Sequence, residues 1–210
     1  MTRTIQRSSD AAFLQLMTIS GSSILKLIGV PADQAENYRC RAVVLKEKRL
    51  EPDVEAVPLL EGTNERVFIE FQGYKDPYIR YRLMAKALFS CAQEKYPGPV
   101  RATIIYTDPK YRAAALAVNA FAGLAAGDGL LEFASTDYPE EKLSAIDRKL
   151  VVLAPFTLPA TTAKATLLVK GSEWKAELER AFPEAQQPDA LNILGLFILN
   201  KFRKLSYPEV

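Results

Sequence analysis

Glu70 and Gln72 are the polar members of the run Val67-Phe-Ile-Glu-Phe-Gln72, whose alternating side chains predict a β-strand. Successive side chains of a strand point to opposite faces, so the carboxylate and the amide emerge on the same face, beside Phe68. Carboxylate oxygens bind hard cations such as magnesium, and an amide can hydrogen-bond to water or to a phosphate oxygen. This face of the predicted strand is therefore the first candidate for a metal-binding or catalytic site in the chain.

Asp53 supplies a second carboxylate. It follows Pro52 at the start of another strand-like run, and the connecting segment 59–65 contains a glycine and an asparagine that suit a hairpin. A hairpin would bring Asp53 alongside Glu70, and one or two carboxylates with several waters are common ligands of Mg²⁺. Taken singly, however, Asp53 better fits a turn residue after proline, and Glu70 and Gln72 better fit the solvent face of an edge strand.

The order Pro-Asp and then Glu-x-Gln on adjacent strands resembles the PD-(D/E)XK nuclease superfamily, in the Rpn-like branch of recombination nucleases and transposases where glutamine replaces the motif lysine. Other segments look like an uncharacterised family of that branch, so the resemblance extends over most of residues 20–206. These segments are Ile24–Pro31, Tyr38–Lys46, Arg101–Tyr106 and Leu199–Ser206. The resemblance implies an α/β fold with a restriction-endonuclease-like core (helix, three strands, helix, strand) and C-terminal helices.

The resemblance also implies a function, a metal-dependent DNA endonuclease that hydrolyses phosphodiester bonds and serves recombination or mobile elements. Asp53, Glu70 and the main-chain carbonyl of Phe71 would bind Mg²⁺ or Mn²⁺. The neutral amide of Gln72 would orient the attacking water or the phosphate by hydrogen bonds, because it carries no charge. DNA would be the partner, and a homodimer is compatible with the activity, since cutting both strands often needs two sites.

Arg82 and Lys86 lie one turn apart on a helix predicted over 77–94. Arg82 matches an arginine of the Rpn-like pattern, and its guanidinium would clamp phosphate, with Lys86 beside it as a second substrate-binding cation. By residue type and spacing alone, both are more typical of exposed helix charges. Glu36 and Glu47 are weaker candidates for an additional acid.

A second interpretation is a protein that keeps the nuclease fold but hydrolyses DNA weakly or not at all, and acts as a DNA-binding or interaction module. Glu55-Ala56 follow Asp53 at positions where the family more often has glycine and apolar residues, and this departure favours the module. Fold alone would not separate the two interpretations, because function depends on the site.

The rest of the chain is predicted from periodicity and from glycine and proline positions. Asp76 is expected to cap the helix that follows it. Expected helices are two short ones within 10–28 broken at 20–23, then 111–126, 160–169, 173–182 and 188–204, and expected strands are 42–45, 100–106, 130–134 and 150–153.

Length and composition favour one domain with appendages. The 210 residues are 49% hydrophobic and 25% charged, which are ordinary values for a globular protein. We predict a nuclease-like α/β domain over residues 1–158 and a helical C-terminal extension over 159–210, packed on the same domain.

Charge and cysteine content limit the classes of site. The net charge of +2 means that binding to nucleic acid must depend on a local basic surface. Cys40 and Cys91 lack metal-like spacing and the chain has no histidine, which argues against structural zinc. The polar N-terminal residues lack an apolar core, and the longest apolar run, 190–199, is too short to span a bilayer, so we expect a cytoplasmic protein without a membrane segment.

Overall fold

The computed structural model describes residues 2–41, 54–58, 65–113 and 130–202 of the chain. The chain divides into two compact units, one formed by Pro31–Ala134 and the other by Met1–Val30 together with Ser135–Val210. The domain division predicted between residues 158 and 159 stays a prediction.

A mixed five-stranded sheet forms the centre of the unit Pro31–Ala134. Its strands lie side by side in chain order: β1 (Tyr38–Arg41), β2 (Val54–Pro58), β3 (Arg66–Gln72), β4 (Val100–Tyr106) and β5 (Leu130–Ala134). The first three are antiparallel neighbours, whereas β3, β4 and β5 are parallel. The predicted α/β class is therefore confirmed as a mixed fold with three parallel strands.

In chain order, described α-helices precede β1, connect β3 to β4, and follow β5. They are α1 (Thr2–Leu27), α2 (Ala32–Ala35), α3 (Ile79–Gln93), α4 (Glu140–Ile146), α5 (Lys164–Ala181) and α6 (Gln187–Lys201). None of these described helices is long and apolar enough to cross a membrane.

The predicted pairing of β2 with β3 is confirmed by an antiparallel register in which Val54 lies opposite Ile69 and Glu55 opposite Phe68. β3 has β2 on one side and β4 on the other, and all of its residues are buried. Glu70 and Gln72 therefore do not lie on the solvent face of an edge strand, and that alternative is wrong. Asp53 lies outside the described residues.

Helix α3 packs on the sheet through a stripe of residues at helical spacing, among them Ile79, Leu83 and Ala87, which are fully buried against Phe68 and Ile104. This face of the sheet is the one that carries Phe68, and hence Glu70, because residues two apart on a strand share a face.

Asp76 makes a capping contact, but not at the position expected. Its Oδ1 accepts a hydrogen bond from the backbone N–H of Tyr78 at 2.8 Å. The helix begins at Ile79 with Tyr78 as its N-cap residue, so Asp76 and Pro77 form the turn that leads into α3 and are not part of its first turn.

The unit formed by the two ends of the chain is helical. The break predicted in the first helical region is confirmed as a kink at Ser20 (φ −147°, ψ 28°) within α1. The break predicted near residue 171 is wrong, since α5 runs through Gly171. A glycine inside a helix costs only about 1 kcal/mol, and buried Leu167, Trp174 and Leu178 hold the helix in place.

The strand predicted at 150–153 is also wrong, because Arg148–Thr157 forms a 3₁₀-helix. A short continuous apolar run fits a buried helix as well as a buried strand, so periodicity could not separate them. The strand predicted at 42–45 and most of the helix predicted at 111–126 lie outside the described residues.

Asp147 fixes the start of this 3₁₀-helix. Its Oδ1 accepts a hydrogen bond from the backbone N–H of Lys149 at 3.0 Å, and its Oδ2 accepts one from Nζ of Lys26 on α1 at 2.9 Å. Burial raises the pKa of the Asp147 carboxyl, but the hydrogen bonds from Lys26 and Lys149 outweigh that effect and hold the pKa below its ordinary value of 3.8.

We predict that Asp147→Asn lowers the free energy of unfolding by about 1 kcal/mol at neutral pH, because it removes a charge-assisted hydrogen bond. A lowered folded-state pKa contributes stability that is present above pH 3.8 and is lost as the pH falls through the folded pKa. Urea unfolding at pH 7 and pH 3 should therefore show a difference between wild type and variant that shrinks in acid. Glu179→Gln, at an exposed pair with Lys175 at 4.0 Å, is the control and should change little. A pH-independent difference would contradict the assignment.

Candidate functional site

Glu70 lies in a buried ion pair with Lys86. Oε2 of Glu70 accepts a hydrogen bond from Nζ of Lys86 at 2.9 Å, and the two residues are each only 5% exposed. One partner comes from the middle strand β3 and the other from α3, so the pair joins sheet and helix across their interface. Lys86 is thus not an exposed helix charge, and that alternative is wrong for it.

Arg82 links Glu70 to the loop before the helix. Its Nη2 lies 3.6 Å from Oε1 of Glu70, and its Nε lies 2.9 Å from Oδ2 of Asp76. The Nε contact is an ion pair without hydrogen-bond geometry. Burial lowers the pKa of Arg82, but Tyr74, Glu70 and Asp76 outweigh it and raise the pKa overall. The side chain is 36% exposed, unlike that of Lys86, although its Nε and Nη2 atoms are buried.

Gln72 is 1% exposed, and its amide nitrogen donates a hydrogen bond to the main-chain oxygen of Tyr74 at 2.6 Å. Its own main-chain oxygen accepts hydrogen bonds from N and Oγ1 of Thr107, at 3.1 and 3.3 Å. Gln72 therefore fixes the turn that connects β3 to α3, and it holds the end of β3 against the residue that follows β4.

Another acidic residue of the sheet, Glu132, was not predicted. It lies in register with Ile104 on β4, and Ile104 pairs in turn with Glu70. Both oxygens of Glu132 accept hydrogen bonds from Arg80 in the first turn of α3, through Nε and through Nη2 at 2.7 Å. The partner lies far away in sequence, so only the single charge within the apolar run Leu130–Ala134 could have drawn attention to Glu132.

The structure brings together four of the predicted site residues: Glu70, Gln72, Arg82 and Lys86. Phe71, whose main-chain carbonyl was a predicted metal ligand, follows Glu70 on the same buried strand.

Three predicted acids remain: Glu36, Glu47 and Asp53. Glu36 is exposed at the end of α2, while Glu47 and Asp53 lie outside the described residues. Within residues 2–41, 54–58, 65–113 and 130–202, no group of three or more acidic, histidine or cysteine residues could hold a metal ion.

A protein-family model matches residues 9–210 of the chain, and its description is "Protein of unknown function (DUF2887)". The chain belongs to the DUF2887 family. No curated protein and no solved structure matches it. The DUF2887 description names no activity, so the function of the site has to be inferred from its residues.

We predict that Lys86→Met lowers the free energy of unfolding by about 3 kcal/mol, because it leaves the Glu70 carboxylate buried without its nearest cation. The double variant Glu70→Leu, Lys86→Met should recover most of that loss, since it removes both charges. Urea unfolding of the single and double variants measures the coupling. Lys175→Met, at an exposed ion pair, is the control and should change stability by less than about 1 kcal/mol. A double variant no more stable than Lys86→Met would contradict the pairing.

Proposed function

We propose that this DUF2887 protein is a metal-dependent DNA endonuclease of the PD-(D/E)XK type. The observation that carries the proposal is the buried Glu70 on β3, next to Gln72 on the same face and contacted by Lys86 and Arg82 from α3. The order of elements agrees with the restriction-endonuclease-like core, because α1 precedes β1, β2 and β3, which are followed by α3 and β4.

The register of the hairpin supports Asp53 as the second acid. Val54 pairs with Ile69, Asp53 immediately precedes Val54, and Glu70 immediately follows Ile69. Pairing continued by one residue would set Asp53 opposite Glu70, and opposed residues of antiparallel strands share a face.

The donor chemistry fits a hard cation. Glu70 offers carboxylate oxygens, and among the described residues Oε1 lies 3.6 Å from Nη2 of Arg82. Asp53, Glu70 and the carbonyl of Phe71 would hold Mg²⁺ or Mn²⁺, with water and phosphate oxygens as the other ligands. A bound ion of this kind supplies a water of lowered pKa and neutralises charge on the phosphate.

The cations of α3 would have separate tasks in this site. Lys86 is buried at 2.9 Å from Glu70 and would hold that carboxylate in place through a charge-assisted hydrogen bond. Arg82 is the more exposed of the two and would bind the substrate phosphate. Gln72 would contribute through its amide oxygen, which can accept a hydrogen bond from the attacking water.

A second function has one observation in its favour. In the described part of the site the charges of Glu70 and Asp76 are balanced by those of Lys86 and Arg82, so the acidic group is already neutralised without a metal. Such a site fits a DNA-binding or interaction module with little hydrolysis. DNA binding in chelator, combined with no cleavage in either Mg²⁺ or Mn²⁺, would favour this module.

We predict that the purified protein nicks or cleaves plasmid DNA in Mg²⁺ or Mn²⁺, and that Asp53→Ala and Glu70→Gln each abolish cleavage. Glu70→Gln keeps an acceptor for Lys86, so the fold should survive, as circular dichroism would show. Asp33→Ala, which removes an exposed carboxylate, is the control and should cleave like wild type. Cleavage that persists in both site variants, or in excess chelator, would refute the assignment.

For Gln72→Ala we predict a loss of cleavage of about 100-fold, of the order seen when one positioned hydrogen-bonding group is removed from an active site. Mn²⁺ affinity, measured by calorimetry, should stay close to wild type, because carboxylates and not the amide would hold the ion. Gln34→Ala, at an exposed position, is the matched control. Equal losses of cleavage and metal affinity would mean that Gln72 shapes the metal site itself.

A further inference from the structure

Three tyrosines are exposed around the start of α3. The exposed fractions are 39% for Tyr74, 67% for Tyr78 and 38% for Tyr81. Large apolar or aromatic side chains clustered on a surface usually mark a contact site. We call these three residues the tyrosine patch.

The tyrosine patch is continuous with the candidate site through Arg82. The backbone N–H of Arg82 donates to the carbonyl of Tyr78 at 3.0 Å, so Tyr78 lies one helical turn before it, and Tyr81 is its neighbour in sequence. Burial lowers the pKa of Arg82 and nearby Tyr74 raises it, and Nη2 of Arg82 lies 3.6 Å from Oε1 of Glu70. A molecule bound at Glu70 and Arg82 would therefore extend onto the tyrosines.

The charges near the patch suit a polyanion, but only weakly. Helix α3 contains no acidic residue, and Asp76, the acidic residue of the loop before it, is paired with Arg82. Lys86 and Arg80 are compensated by Glu70 and Glu132. Charge alone would give little affinity for a polyanion, so contacts with the tyrosine rings would have to supply most of the binding energy.

We propose that the tyrosine patch binds the unpaired bases of single-stranded DNA, with Tyr78 as the main stacking surface and Arg82 on the adjoining phosphate. Aromatic side chains stack on any base whose faces are open, whereas the bases of a duplex are already stacked on one another. This inference rests on the proposed nuclease function and narrows its substrate to single-stranded or locally unwound DNA.

The test is fluorescence anisotropy in chelator, with a labelled single strand of about 16 nucleotides and the duplex of the same sequence. Wild type should bind the single strand more tightly than the duplex. Tyr78→Ala should weaken single-strand binding by about five- to 150-fold, the loss of one stacked base, and leave duplex binding nearly unchanged. Tyr78→Phe should bind like wild type, because stacking needs the ring and not the hydroxyl.

Leu88→Ala is the matched control, since Leu88 is 56% exposed on the same helix, about 15 Å further along its axis from Tyr78. It should bind the single strand like wild type. An equal loss of single-strand and duplex binding in Tyr78→Ala would overturn the proposal, as would an unchanged single-strand affinity, which would leave the patch to a protein partner.

Cleavage assays separate this inference from the nuclease proposal. If Tyr78→Ala cleaves single-stranded DNA as fast as wild type, the tyrosine patch is not the substrate surface, although the nuclease function stands. If no cleavage occurs in any divalent metal while single-strand binding still depends on Tyr78, the nuclease proposal fails and the binding surface stands.

Discussion

The buried ion pair between Glu70 and Lys86 is the constraint on which the arrangement of the sheet unit depends. A charge removed from water is costly by several kcal/mol unless a partner and good geometry offset the loss of solvation. Glu70 is in the middle strand and has to be covered by α3, so the helix must place a cation over it, which Lys86 does at 2.9 Å. The pair therefore fixes which turn of α3 lies over which residue of β3.

A second ion pair of the same kind joins α3 to β5, where Arg80 donates a hydrogen bond to Glu132. Glu70, Ile104 and Glu132 form one row across the three parallel strands, with a carboxylate at each end and an apolar residue between them. Arg80 and Lys86 of α3 are six residues apart and pair with Glu132 and Glu70, the two ends of this row. These two contacts orient the helix across the strands. Chemistry in parallel sheets gathers at the carboxyl ends of the strands, and the turn held by Gln72 lies at that end of β3.

Secondary structure and the faces of single elements could be predicted from the sequence, whereas contacts between elements could not. Alternation in β3 placed Glu70 and Gln72 on one face, because this signal comes from neighbouring residues. Period two cannot reveal whether a strand has one neighbour or two, so the burial of β3 was not foreseen.

Other features were missed for related physical reasons. Lys86 was expected in solvent, because lysines are almost never buried unless they are paired. Its partner, like that of Arg80, lies on another element, and no local pattern encodes such a pair. The apolar run within 148–157 was assigned as a strand because its composition suits either a strand or a buried helix.

Charge balance explains why the proposed nuclease function would depend on Asp53, a residue outside the described part of the chain. Glu70 and Asp76 bring two negative charges, and Lys86 and Arg82 bring two positive ones, so this group is neutral as it stands. A neutral group has little attraction for a divalent cation, and it fits a site that binds DNA without hydrolysing it. One more carboxylate on the same face would give the group a net negative charge, which attracts a hard cation. In this proposal, the position of one carboxylate would decide between a nuclease and an inactive module of the same fold.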